Sequence, residues 1–132
     1  MITGLNHITL AVSDLEHSLH FYTQVLGLAG HVKWDSGAYL SAGDLWLCLS
    51  CDEPGPGTDY THIAFDVAQA DFDACCARLE AFEVPQWKVN KSEGPSVYIL
   101  DPDGHKLEIH VGGLQRRLAA LVEKPYSGLV WL

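Results

Sequence analysis

The chain has 132 residues, of which 48% are hydrophobic and 19% charged, enough for one globular domain with a real core. Its formal charge of -9 excludes a nucleic-acid-binding role, which needs a basic face, and no apolar run reaches the length of a bilayer span. Cys48, Cys51, Cys75 and Cys76 have no disulfide-framework or zinc-knuckle spacing, and MITGLNHITLAV has neither a basic n-region nor a cleavage site, so a reducing, cytoplasmic setting is expected.

In chain order the pattern is a repeat. HITLAVSDLEHSLHFY, from His7, is a short alternating strand followed by an amphipathic helix, and HIAFDVAQADFDACCARL, from His62, repeats it. Leu15, Leu19 and Tyr22 mark the apolar helical face in the first copy, and Phe72, Cys76 and Leu79 in the second. Asp14 and Asp71 are expected as helix caps or first-turn acids. Strands are predicted over residues 30–34, 38–40 and 45–50 after the first helix, and over 86–90, 96–100 and 106–111 after the second. Turns at Ser41-Ala42-Gly43-Asp44 and Asp101-Pro102-Asp103-Gly104 separate them.

Each half is therefore βαβββ, and the fold class is α+β. One domain over residues 1–132 is expected, with a first module at about 1–52, a second at about 59–112 and a last helix at about 114–123. The Pro- and Gly-containing stretch CDEPGPGTD links the modules. Because His7 and His62 hold the same place in each copy, the repeat predicts that they occupy equivalent positions on one curved sheet.

Glu108 lies in LEIHV, where Leu107, Ile109 and Val111 are expected to be buried on one face. A carboxylate on the opposite face needs a partner. His7, His62 and Glu108 thus form a candidate three-ligand site with open positions, suited to Mn²⁺, Fe²⁺ or Zn²⁺. His110 shares the parity of Glu108 and is the rival ligand. His17, His20, His31 and His105 read as surface or core residues. The segment from Trp87 to Tyr98 gathers Lys88, Lys91, Ser92, Ser96 and Tyr98, groups able to hold phosphate or phosphonate oxygens, although its composition equally suits a solvated hairpin loop. Arg117 offers a bidentate oxyanion contact, or else is a surface residue beside Arg116.

GLNHITLAVSDL, GAYL with LWLCLS, DYTHIAF, WKVNKSEGPS and DPDGHKLEIHVG together resemble the FosA-type fosfomycin-resistance glutathione transferases of the vicinal oxygen chelate superfamily, from residue 1 to about 126. The resemblance implies paired βαβββ modules and a Mn²⁺- and K⁺-dependent enzyme that opens the fosfomycin epoxide with the glutathione thiol. It places His7, His62 and Glu108 on the metal and Thr9 at the epoxide oxygen. Lys88, Ser92, Tyr98 and Arg117 match the phosphonate-binding groups. Asn90, Ser92, Glu93, Gly94 and Ser96 match the potassium loop, Trp46 and Cys48 the substrate cavity, and Trp34 and Tyr39 positions near the thiol. It further implies a homodimer in which His7 and the other two ligands come from different chains.

The chain departs from that pattern at Ile63, often Tyr, at Pro95, usually Asp or Ala, and in its short linker. Pro95 removes one backbone N–H and narrows φ within the loop. The bacillithiol-using branch carries Cys in place of Thr9 and lacks the NKSEG loop. The hydrolase branch takes a catalytic Glu from a region that here, from Tyr39 to Asp44, has none. The alternatives are a glyoxalase-like isomerase or Fe²⁺ dioxygenase, which keeps the metal but not the substrate, and a metal-free drug-binding protein.

Overall fold

A computed structural model describes residues 1–132. Strands β1 (His7–Val12), β2 (Ala29–Trp34), β3 (Gly37–Ala42) and β4 (Leu45–Cys51) form one sheet in the order β1-β4-β3-β2. Strands β5 (Ile63–Asp66), β6 (Gln86–Lys88), β7 (Ser96–Leu100) and β8 (Lys106–His110) form a second in the order β5-β8-β7-β6. In each sheet the first strand runs parallel to the last and the other neighbours are antiparallel. The crossover that parallel pairing requires carries helix α1 (Leu15–His20) in one half and α2 (Phe72–Ala81) in the other. Helix α3 (Leu114–Glu123) follows. No helix is long and apolar enough to cross a membrane.

The period-2 alternation read from the sequence decides which face of each sheet is dry. Leu10, Val12, Ala38, Leu40, Leu47 and Leu49 of the first sheet and Phe65, Ile99, Leu107 and Ile109 of the second join one core cluster. Truncating a fully enclosed member such as Leu47 to Ala should cost about 2–5 kcal/mol. The opposite faces carry the chemistry-bearing side chains. One expectation is corrected here: His7 and His62 do not share a curved sheet, because the repeat folds into two separate four-stranded sheets within the chain.

At the second helix Asp71 makes no side-chain cap but is the first-turn acid, the other place expected for it, in a 3-10 turn at Gln69–Asp71 that leads into α2. One correction concerns the face of that helix. Cys75 and Leu79, four residues apart, are the α2 residues that pack on the core, instead of Phe72 and Cys76. Asp14 does cap α1, its carboxylate accepting from the His17 N–H at 3.1 Å. Past α1 the chain continues as a π-helical turn, Phe21–Val25, in which Thr23 Oγ1 donates back to the Leu19 carbonyl.

The DPDGH turn locks the halves together. Tyr22 Oη donates to Asp101 Oδ2 at 2.7 Å. The Ser13 hydroxyl and backbone N–H both donate to Asp103, and His105 Nε2 lies 2.7 Å from the Ala11 carbonyl. Arg78 adds a bond from α2 to the Gln24 carbonyl. A motif that the resemblance assigns to a family signature thus has a mechanical use as the clamp between modules.

Candidate metal centre

On the open face of the second sheet, His62 stands just before β5 and Glu108 in the middle of β8, one strand away. His62 Nδ1 lies 2.8 Å from the Tyr60 carbonyl, an arrangement that makes Nδ1 the donor and leaves the Nε2 lone pair free. Nε2 faces Glu108 Oε2 at 3.4 Å. Glu108 is 7% exposed, between Leu107 at 0% and Ile109 at 5%. Burial pushes its carboxyl up, but hydrogen bonds from the Ser96 and Tyr98 hydroxyls and the neighbouring His110 and His62 outweigh it. The net result holds Glu108 below the usual glutamate range. An ionised carboxylate beside a free imidazole nitrogen is a donor pair that fits a divalent metal.

His7 does not join them. It begins β1 in the other sheet, with its Nδ1 2.7 Å from Asn6 Oδ1 and its ring 4.5 Å from that of Trp46. Within one chain no group of three or more His, Cys, Asp or Glu side chains is placed to hold a metal ion. His7 nonetheless has the same preparation as His62: one nitrogen engaged by an oxygen, the other free.

The residues expected around the metal divide between the same two faces. Thr9 pairs with Cys48, and Cys48 with Tyr39, so these three share the His7 side of the first sheet. Trp46, Tyr39 and Trp34 continue it as an edge-to-face ladder, with ring centroids 5.1 and 4.8 Å apart. Around His62 and Glu108 stand Lys88 and Tyr98. Lys88 Nζ lies 4.4 Å from the Tyr60 ring centre and 4.8 Å from that of Tyr98, and donates to the Tyr60 hydroxyl. That bond, reinforced by the fields of Tyr98, Tyr60 and Glu108, raises the Lys88 pKa and keeps it cationic.

The loop that follows is folded on itself. Asn90 Oδ1 accepts from both the N–H and the hydroxyl of Ser92, while Asn90 Nδ2 donates to the Gly94 carbonyl. Gly94 has φ +82°, and a Cβ there would come within 2.9 Å of the Val111 carbonyl, so glycine is required. Pro95 supplies its carbonyl to the Val111 N–H. Arg117 reaches the loop through Glu93, at 3.3 Å to its carbonyl and 3.7 Å to its carboxylate, and Arg116 takes the other carboxylate oxygen at 3.1 Å.

Three contributors escaped the sequence reading. Tyr60 orients His62 and touches Lys88; its only signal was its even spacing from His62. Trp87 walls the site, 5.6 Å from His62 and 5.3 Å from Tyr98, with its Nε1 bonded to the Leu107 carbonyl. Asn6 fixes His7 and gave no signal beyond adjacency.

The sequence profile of the Glyoxalase/Bleomycin resistance protein/Dioxygenase superfamily matches residues 4–109. The chain is 57% identical to the glutathione transferase FosA of Serratia marcescens, over 99% of this chain and 96% of that one. It is 39% identical to a metallothiol transferase FosB of Lysinibacillus sphaericus, over 89% and 88% of the two chains. In solved structures it resembles the fosfomycin resistance protein FosX of Listeria monocytogenes complexed with Mn(II) and sulfate, with TM-score 0.79 and 31% identity over 91% of this chain and 98% of that one. FosX of Mesorhizobium loti gives TM-score 0.78 and 33% identity over 89% and 99%. With two βαβββ modules, a profile match over most of its length and a relative this similar, the chain belongs to the Glyoxalase/Bleomycin resistance protein/Dioxygenase superfamily and, within it, to the fosfomycin-resistance proteins.

Proposed function

We propose that this protein is a Mn²⁺-dependent, K⁺-assisted glutathione transferase that inactivates fosfomycin, acting as a homodimer whose sites draw His7 from one chain and His62 and Glu108 from its partner. The observation that carries the reading is the prepared pair, His62 Nε2 at 3.4 Å from an ionised Glu108, with a second histidine, His7, equally prepared on the other sheet. The similarity to the Serratia enzyme supports the thiol and the drug.

A divalent metal, when bound, supplies Lewis-acid stabilisation of the oxygen released as the epoxide opens. The chain's own residues do the rest. Lys88, with Ser92, Tyr98 and Arg117, binds the phosphonate, so an acidic protein holds an anion by concentrating its few cations in one place. Asn90, Ser92, Glu93, Gly94 and Ser96 form the loop that holds K⁺ and adds positive charge next to them. Thr9 lies beside the epoxide oxygen, while Trp46 and Cys48 shape the cavity. Tyr39, next to Trp34, is the hydroxyl that favours the thiolate, the form of glutathione that attacks the epoxide carbon. The C–S bond forms as the C–O bond breaks, and the released alkoxide takes up the proton that the thiol gave away.

A hydrolytic reading would need a general-base carboxylate between Tyr39 and Asp44, and the sole acid there, Asp44, sits in the turn between β3 and β4. The test is one assay of purified protein with Mn²⁺, fosfomycin and, in turn, glutathione, bacillithiol, cysteine and water, followed by mass spectrometry. A glutathione adduct that disappears in Glu108→Gln is expected. A diol in all four mixtures, or turnover by a Glu108→Gln enzyme still replete with metal, would sink the assignment.

A further inference from the structure

His110 stands between the proposed metal-ligand carboxylate and the proposed potassium loop, and its role rests on the divalent-metal reading above. Its side chain is 15% exposed, and its Nδ1 is buried with no hydrogen-bond partner, an uncommon and costly state for an imidazole nitrogen. The nearest acid oxygen is Glu108 Oε1, at 3.9 Å, too long for a hydrogen bond. That same oxygen already accepts from Ser96 Oγ at 2.6 Å, and Ser96 is the residue directly across from His110 in the β7–β8 pair. Oε2 is the oxygen that faces His62.

The two carboxylate oxygens are therefore divided. Oε2 points toward the metal position, and Oε1 points toward a hydroxyl and an imidazole that belong to the protein frame. The other edge of the His110 ring lies against the loop: a Cβ on Gly94 would meet His110 Cε1 at 3.3 Å and Nε2 at 3.6 Å. The Val111 N–H, one residue on, is bonded to the Pro95 carbonyl of the same loop. One ring thus sits beside Gly94 of the loop and aims an unpaired nitrogen at the carboxylate.

We propose that His110 is a positioning residue: its Nδ1 holds the Oε1 side of Glu108, so that Oε2 is presented to the metal. His110 is in this account not a metal ligand. Partners of this kind, which orient a ligand without touching the ion, typically govern ten- to a hundredfold in metal affinity.

The test uses the full-length protein and Mn²⁺ alone, with no substrate. Mn²⁺ affinity is measured by titration, and the number of coordinated imidazoles by the nitrogen hyperfine couplings of bound Mn²⁺. His110→Leu keeps the bulk and removes the nitrogen; His110→Asn restores an N–H near the place of Nδ1 but not the edge against Gly94. Leu should weaken Mn²⁺ binding about ten- to a hundredfold, with two imidazoles still coordinated in the Mn²⁺ that binds. Asn should recover most of that loss, which also shows that a fold defect is not the cause. Unchanged affinity in the Leu variant, an Asn variant as weak as Leu, or the loss of one imidazole signature in either would overturn the proposal. A wild-type protein that fails to bind Mn²⁺ would instead remove the metal reading itself, and the role of His110 with it.

Discussion

Tyr22 and Asp101 lie in different halves of the chain, yet the Tyr22 hydroxyl, in a fully enclosed side chain, donates to Asp101 Oδ2 at 2.7 Å. Asp101 is itself 4% exposed and accepts from the N–H groups of Asp103 and His105 with its other oxygen. A buried carboxylate that loses a donor keeps its desolvation penalty, so Tyr22→Phe should destabilise the protein by about 1–3 kcal/mol. Urea denaturation at neutral pH measures it.

The same pair sets a pH dependence. Burial first, and then the charge and hydrogen bond of Asp101, raise the Tyr22 pKa far above that of an exposed tyrosine. The folded state therefore keeps a proton that the unfolded state loses above about pH 10. Stability contributed by the protonated phenol is complete below that pH and falls as pH rises, by up to about 1.4 kcal/mol per pH unit. Tyr22→Phe should flatten the alkaline slope by one proton's worth, and an unchanged slope in the variant would contradict the assignment.

Gly94 and Gly55 provide a matched pair of substitutions. Gly94 has a left-handed backbone and a carbonyl 2.9 Å from where a Cβ would be, whereas a Cβ at Gly55, in the linker, meets nothing within 4 Å. Gly94→Ala should cost about 1–3 kcal/mol of local strain and raise the K⁺ concentration needed for half-maximal activity. Gly55→Ala should leave both the melting temperature and the K⁺ requirement unchanged.

How much of this was legible beforehand depends on the range of the cause. Local causes were readable: alternation put Leu107 and Ile109 on the dry face and isolated Glu108, the Asp14 cap followed from its place before an amphipathic run, and α3 began where expected. Long-range causes were not. Asp103 meets Ser13 across ninety positions, and nothing in DPDGH announces that its target is the start of α1. Whether two like sheets merge or stay apart is settled by packing between modules, which the repeat leaves open. Tyr60 and His110 act through a carbonyl and an orphaned ring nitrogen, features that depend on orientation and not on residue type.

Lys88 stands near the proposed metal pair, lying over two tyrosine rings and bonded to one of them. Those contacts aim the ammonium group, and the bond to Tyr60 raises its pKa and keeps it cationic. Lys88→Ala should weaken fosfomycin binding roughly ten- to a hundredfold, the loss expected for one charge-assisted contact. Mn²⁺ affinity should stay close to wild type, because Lys88 is not a ligand. Calorimetric titration of the drug into the Mn²⁺-loaded variant checks both, and unchanged drug affinity would remove Lys88 from the anion site.

The separation of His7 from His62 and Glu108 makes the dimer reading testable by mixing. If each site takes His7 from one chain and Glu108 from its partner, His7→Ala and Glu108→Gln are each inactive alone, since both sites of either homodimer lack a ligand. Unfolding and refolding the two variants together in equal amounts gives about half heterodimers by random pairing. In a heterodimer one site combines both substitutions and the other combines neither. One site in two, on half of the dimers, predicts recovery of about a quarter of wild-type activity. If His7, His62 and Glu108 met within a single chain, every chain would carry one damaged ligand and no mixture would recover activity. The measurement thus separates a shared site from a self-contained one without a structure of the dimer, and it applies to the two open sheet faces the chain presents: His7, Trp46 and Tyr39 on one, His62, Trp87 and Tyr98 on the other.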